Sequence, residues 1–207
     1  MAISGLMVGL GNPGTRYSRT RHNFGFMFLD RLCEADAPEQ ACGRESAKGK
    51  ALVRNMRWGG QEWLLVKPQT YMNLSGGPTG ELSRFYKLSP EQVLIIHDEL
   101  DLPLGRMQLR KGGGAAGHKG VASVAQHLGS KDFFRLRLGV GKPEVGEASD
   151  YVLRPFSADE EQAVDAMLTA AVEGISVWLS KGFEPARQLI NSFRMEQAPN
   201  QAPDKGM

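Results

Sequence analysis

The sequence predicts a single layered α/β domain over residues 1–193, with a mixed central sheet flanked by helices. Three observations predict it. Short apolar runs that read as buried strands alternate with stretches whose apolar residues recur at helical spacing. Two of the strands are joined by the tight turn Trp58-Gly59-Gly60, which makes that pair antiparallel and the sheet mixed. The 207 residues show no internal repeat and no linker-like stretch, and that length suits one domain with a full core.

The elements follow in order. Ile3 to Leu10 reads as a buried strand. Phe24 to Glu34 reads as a helix, because Phe24, Phe28 and Leu32 repeat every four residues with Leu29 beside them. Ala51 to Met56 and Glu62 to Lys67 are the hairpin strands. Gly80 to Lys87 belongs to a helix that starts near Asn73. Val93 to Ile96 is a strand, and Arg106 to Arg110 an edge strand. Val121, Val124, Ala125 and Leu128 stripe a helix that begins just after a glycine-rich segment, and Phe134 to Val140 is another strand. Ser157-Ala158-Asp159-Glu160 has the form of a capping box. It opens a long helix with the stripe Val164, Met167, Leu168, Ala171, Ile175 and Trp178. A last helix covers Pro185 to Ser192, and residues 194–207, polar and proline-bearing, read as a flexible tail.

Apolar residues make up 41% of the chain and charged residues 23%, which is ordinary globular usage and excludes wholesale disorder. The net charge of +2 is uninformative, but its distribution is not. Arg106 to Arg137 holds seven basic residues and one acidic, whereas Glu144 to Glu173 holds eight acidic and one basic. That asymmetry makes either a basic face for a phosphate-bearing partner or two solvated surfaces of opposite sign. Cys33 and Cys42 lack metal-site spacing and form no disulfide scaffold, which fits a reducing cytoplasm. The N-terminus has no signal-peptide pattern, and no apolar run reaches the roughly 18 residues of a membrane span.

Four turn-rich segments carry the chemistry. Gly9-Leu10-Gly11-Asn12-Pro13-Gly14 matches a dinucleotide fingerprint and follows a strand, but no helix opens at the second glycine and no acidic residue ends a second strand. A dinucleotide site is therefore excluded. The loop is either a plain turn or a device that projects the Asn12 amide at the carboxyl end of a strand. His22 lies among Arg21, Asn23 and Arg19, a polar setting for a general base. His97-Asp98-Glu99-Leu100-Asp101 closes a strand, where open α/β sheets place their sites. Its carboxylates suit Mg²⁺, yet no second cluster completes a metal shell, so an Asp98 partnered with His22 is the more economical role and no metal is expected. Asn73 either caps a helix or offers an amide that donates and accepts. Gly112 to Gly120 lacks the ending of a nucleotide-triphosphate loop and is either anion-friendly or simply flexible. No nucleophile elbow is present, which leaves water attack assisted by His and Asp.

These segments resemble the bacterial peptidyl-tRNA hydrolase family. The resemblance covers about residues 3 to 193 and rests on VGLGNPG, Y-x-x-TRHNFG, KPQTYMNLSG, HDELDLPLG, GGG-x-x-GH-x-G and FxRLRLGVG in that order. It implies a monomeric, phosphorylase/hydrolase-like α/β fold that frees peptide and tRNA from peptidyl-tRNA without a cofactor. It also implies His22 as general base, Asp98 as its support, Asn12 and Asn73 as positioning amides, and Tyr17, Tyr71 and Met72 as pocket lining. At one position the chain departs: the family has Asn after the glycine-loop histidine, and this chain has Lys119. Lys donates but cannot accept, so a phosphate or Asp98 is its expected partner. Arg110 and Arg137, on the basic stretch, are expected at phosphates of the tRNA acceptor stem. The competing functions are an RNA-binding protein without turnover, which has no use for His22 and Asp98, and a small-molecule hydrolase or phosphorylase, which has no use for the basic stretch.

Overall fold

The first apolar run becomes the middle of the sheet. In the computed structural model, which describes residues 2–35 and 40–195, β1 (Ile3–Gly9) lies between β5 (Gln61–Pro68) and β6 (Val93–Glu99) and runs parallel to both. Beyond β6 come β8 (Phe134–Gly139), parallel to it, and β7 (Met107–Lys111), antiparallel and at the edge. Beyond β5 come β4 (Ala51–Trp58) and then β2 (Gln40–Cys42), with β3 (Ser46–Lys48) also on β4, all antiparallel steps. The order is β2-β4-β5-β1-β6-β8-β7, a mixed sheet.

Both faces of the central strands are buried, so their alternating side chains feed two cores. Met7, Leu94, Ile96 and Leu136 pack with Phe24, Phe28 and Leu32 of α1 (Phe24–Glu34), Met167 and Ile175 of α5 (Glu161–Lys181) and Ile190 of α6 (Phe183–Ser192). Leu6, Val8, Val93 and Ile95 pack with Leu82 of α2 (Gly76–Phe85) and with Val121 and Val124 of α3 (Lys119–Leu128). A fully buried Phe28 stabilises the first core by roughly 1.5–3 kcal/mol. By length and composition α5 is apolar enough to cross a membrane, although its sequence breaks the apolar run with Asp165 and Glu173. Here its stripe is part of the core.

Several boundaries differ from the sequence reading. β6 continues through His97, Asp98 and Glu99, all buried, because each finds partners in the fold. α2 starts at Gly76, after a separate 3-10 turn over Met72–Leu74. α5 starts at Glu161, not at Ser157: the Glu160 carboxylate reaches back to the Ser157 N–H at 2.7 Å but also binds Arg21, and the intervening residues form a turn. The strands β2 and β3 and the short helix α4 (Ala148–Val152) had no sequence signal. Cys42 ends β2, and its free thiol touches the free thiol of Cys33 at 2.7 Å. Of the expected tail, residues 196–207 lie outside the described residues, while Arg194 bridges Arg106 and the Met195 N–H donates to the Gly105 carbonyl.

Two glycines set α1 on the sheet. A Cβ on Gly9 would lie 2.4 Å from the Gly25 carbonyl oxygen, and one on Gly25 would lie 2.3 Å from the Ile96 oxygen and 2.5 Å from the Leu10 nitrogen. These are backbone atoms that cannot turn aside. Gly25→Ala is therefore expected to cost about 1–3 kcal/mol, the usual range for overpacking, seen as a lower urea midpoint. An unchanged midpoint would mean that α1 is free to lift off the strand ends.

Candidate active site

The parallel strands β1, β5 and β6 end on one side of the sheet, and the first turn of α3 meets them there. Between them lies a cavity of about 400 Å³. Of the residues singled out in the sequence, Asn12, His22, Tyr71, Met72, Asn73, Asp98 and Lys119 are in its wall. Tyr17 is not among the lining residues: it ends the 3-10 turn Thr15–Tyr17, with the Arg16 guanidinium 5.7 Å from its ring centroid.

Asp98 is the buried centre, 2% exposed. Its Oδ1 lies 2.9 Å from His22 Nδ1 and 3.0 Å from His118 Nε2. A carboxylate only accepts, so both imidazoles donate to it. In His118 the other nitrogen, Nδ1, then accepts the Val121 N–H at 3.3 Å and caps α3. In His22 the other nitrogen, Nε2, keeps its lone pair on a ring that lines the cavity. Burial by itself would raise the Asp98 carboxyl, but the two imidazoles outweigh it and hold the group well below the ordinary carboxylate range.

His22 is fixed by its neighbours. It sits in the 3-10 turn Arg21–Asn23, between two buried residues. The Arg21 guanidinium binds both carboxylate oxygens of Glu160 at 2.6 and 2.8 Å and the Pro155 carbonyl at 2.8 Å, over the Tyr151 ring. The Asn23 side chain exchanges two 2.9 Å hydrogen bonds with the backbone of Asn12. Asn12 in turn accepts the Met72 N–H on its Oδ1 at 2.8 Å. Its oxygen is thus engaged by the backbone, which leaves its Nδ2 donors for the cavity that Asn12 lines. Asn73 is exposed in the 3-10 turn and caps nothing: α2 has no side-chain cap.

The basic residues divide. Arg137 is 12% exposed and tied to Glu99 at 2.7 Å and to Gln108, so it is engaged inside the fold. Arg110 forms no ion pair among the described residues. It pairs across the ladder with Arg135, and both guanidinium groups converge on Gly113: a Cβ there would lie 2.4 Å from Arg110 Nη2 and 2.6 Å from Arg135 Nη2. Arg135 is 2% exposed and donates to the Gly112 and Gly114 carbonyls. Burial, and then the charges of Arg110 and Arg137, bring it down to about 10. Lys119 is exposed and unpaired among the described residues, since Asp98 is taken by the imidazoles.

The sequence reading missed His118 and Arg135. The signal for His118 was a histidine at the mouth of a helix in a glycine-rich loop. For Arg135 it was strand parity, which places it on the face of Arg137.

The profile of the peptidyl-tRNA hydrolase family matches residues 6–199. The chain belongs to the peptidyl-tRNA hydrolase family. It is 48% identical over 201 residues to the family member of Nitratidesulfovibrio vulgaris (strain DP4), covering 94% of this chain and 100% of that protein. It is 46% identical over 189 residues to that of Thermus thermophilus, covering 91% and 96%. The crystal structure of peptidyl-tRNA hydrolase from Acinetobacter baumannii superposes with a TM-score of 0.85 at 33% identity, covering 94% of this chain and 98% of that one. The likeness extends over the whole α/β fold, the mixed sheet included.

Beside the site lies a histidine that titrates against the fold. His97 is fully buried, donates from Nδ1 to the Asp98 carbonyl at 2.7 Å, and packs edge-on against His118 at 4.9 Å between centroids. Burial, reinforced by His118, pushes its pKa well below the ordinary 6.5. As pH falls through 6.5 the unfolded chain takes up a proton that the folded chain refuses, so stability falls toward acid. Asp98, with its depressed pKa, loses its own contribution only at lower pH, below the ordinary carboxylate range. Urea unfolding on both sides of pH 6.5 is expected to show a stability loss on the acid side that His97→Asn flattens. An equal loss in both proteins would place the proton elsewhere.

Proposed function

We propose that His22 and Asp98 carry out the hydrolysis of peptidyl-tRNA that this chain, as a member of the family, catalyses. The observation that supports this is the tautomer of His22: with Nδ1–H donated to a buried carboxylate, Nε2 is the free base on the cavity side. Nε2 takes a proton from water, and the hydroxide adds to the ester carbonyl that joins the peptide to the terminal ribose. The tetrahedral intermediate collapses, the imidazolium returns the proton to the ribose oxygen, and peptide acid and tRNA leave. Asp98 steadies the imidazolium while it carries the extra proton. Asn12, donating from its amide, and Asn73 hold the carbonyls and N–H of the peptide next to the ester; Tyr71 and Met72 form the wall against its side chains. The reaction needs no cofactor in this scheme.

On the tRNA side, Arg110, with Arg135 behind it, and Lys119 take phosphates of the acceptor stem, with Arg137 holding Glu99 instead. The enzyme acts as a monomer in the cytoplasm.

The direct test is release of an N-blocked amino acid from charged tRNA by pure protein. His22→Ala is expected to lower turnover by about 10²–10⁴-fold, the worth of a positioned general base, with its urea midpoint little changed. Wild-type turnover in that variant would sink the mechanism. A free aminoacyl-tRNA presents an ammonium to the Asn12 donors, so N-blocked substrates are expected to react far faster, and equal rates would remove Asn12 and Asn73 from recognition.

Phosphate contacts weaken with salt by about one unit of log K per phosphate neutralised on duplex. Arg110→Glu and Lys119→Asn are each expected to raise KM for tRNA substrates and flatten its salt dependence, while a substrate cut to the terminal nucleotide is unaffected. Arg137→Gln is expected to lower the urea midpoint with the salt slope intact. If Arg137→Gln flattens the slope and Arg110→Glu does not, the assignments are reversed.

A further inference from the structure

We propose that the His22–Asp98–His118 cluster is also a binding site for Zn²⁺, and that zinc bound there switches hydrolysis off. Two imidazoles and one carboxylate offer one ligand atom each, and these atoms lie within 4.8 Å of one another. A tetrahedral zinc with bonds near 2.0–2.2 Å needs ligand atoms about 3.3 Å apart. The present separations of 2.9 and 3.0 Å to Asp98 Oδ1 come close, while the two imidazole nitrogens, within 4.8 Å of each other, must draw together by up to about 1.5 Å to admit the ion. Each of the three residues touches the cavity, which supplies an entry path and room for a water as fourth ligand. The donor set selects the metal. Neutral imidazole nitrogen suits zinc and its late first-row neighbours, whereas Mg²⁺ wants oxygen ligands and keeps its waters.

Inhibition follows from the tautomers and rests on His22 Nε2 being the base. To bind zinc, His22 Nδ1 must give up its proton and present a lone pair. The ring stays neutral if that proton moves to Nε2, and Nε2–H cannot accept a proton from water. His118 undergoes the mirror change: Nε2 binds the metal, the proton moves to Nδ1, and the Val121 N–H loses its acceptor. No proton is gained or lost overall, and one ion alters both the base and the cap of α3. That lost cap opposes binding and keeps the ion exchangeable.

The experiment uses the full chain with Cys33→Ser and Cys42→Ser, because two neighbouring free thiols would compete for the ion. Calorimetric titration with zinc chloride is expected to show one site, and magnesium chloride none. His118→Gln is expected to weaken zinc by at least the roughly 10–100-fold that even an outer-shell partner is worth, and His22→Gln provides the same test if the first variant fails to fold. Histidine nitrogen NMR is expected to show the His22 proton moving from Nδ1 to Nε2 on adding zinc. Turnover of N-blocked aminoacyl-tRNA, with Mg²⁺ in excess, is expected to fall by about 10²-fold or more at one equivalent and to return on adding chelator. Absence of a site, zinc affinity equal in wild-type-like chain and both histidine variants, or full turnover with zinc bound would overturn the proposal. Failure of the general-base mechanism is distinguishable: His22→Ala would then keep its turnover with no zinc present.

Discussion

A carboxylate can stay ionised at the buried end of a strand only if donors meet it there, and the surroundings of Asp98 are organised by that requirement. Its two donors come from opposite sides of the sheet. His22 arrives just ahead of α1, and His118 arrives at the mouth of α3. Each donor is itself held: His22 by the anchors of Arg21 and Asn23, His118 by the backbone of Val121. One negative charge thus ties both helical layers to the same strand end. A change at any of these anchors acts on the His22 ring without touching it.

The central fold was legible because apolar runs and a glycine turn are local signals. Phe24, Phe28 and Leu32 mark α1 to the residue, and Trp58-Gly59-Gly60 marks the hairpin. What failed was the reading of polar residues in buried places. His97, Asp98 and Glu99 look like the end of a strand, yet they extend it, because a backbone carbonyl takes His97 Nδ1, two imidazoles meet Asp98 and a guanidinium meets Glu99. β2 and β3 carry no β-branched residue, and they are strands only because β4 supplies their hydrogen bonds. Ser157 and Glu160 match a capping box locally, but Arg21, far away in sequence, claims the same carboxylate.

The same limit applies to the site. Composition placed a basic stretch near the helix of Lys119, but Arg110, Arg135 and Arg137 differ only in what faces them. Glu99 neutralises Arg137, while Gly113 leaves Arg110 and Arg135 side by side. Asn12 was legible as a projecting amide, though not the use of its oxygen by the Met72 N–H. In each case the deciding partner lies on another loop, and the pairing exists only after the strands have aligned.

The link between Arg21 and Glu160 carries a consequence for how the chain is made. The turn that holds Arg21 and His22 is synthesised early, but the carboxylate that anchors Arg21 comes from Glu160, at the threshold of α5, and the carboxylate that meets His22 from Asp98 of β6. A nascent chain therefore carries the histidine long before it carries the groups that orient it. The order of residues along the chain delays the closing of that corner until Glu160 has been added.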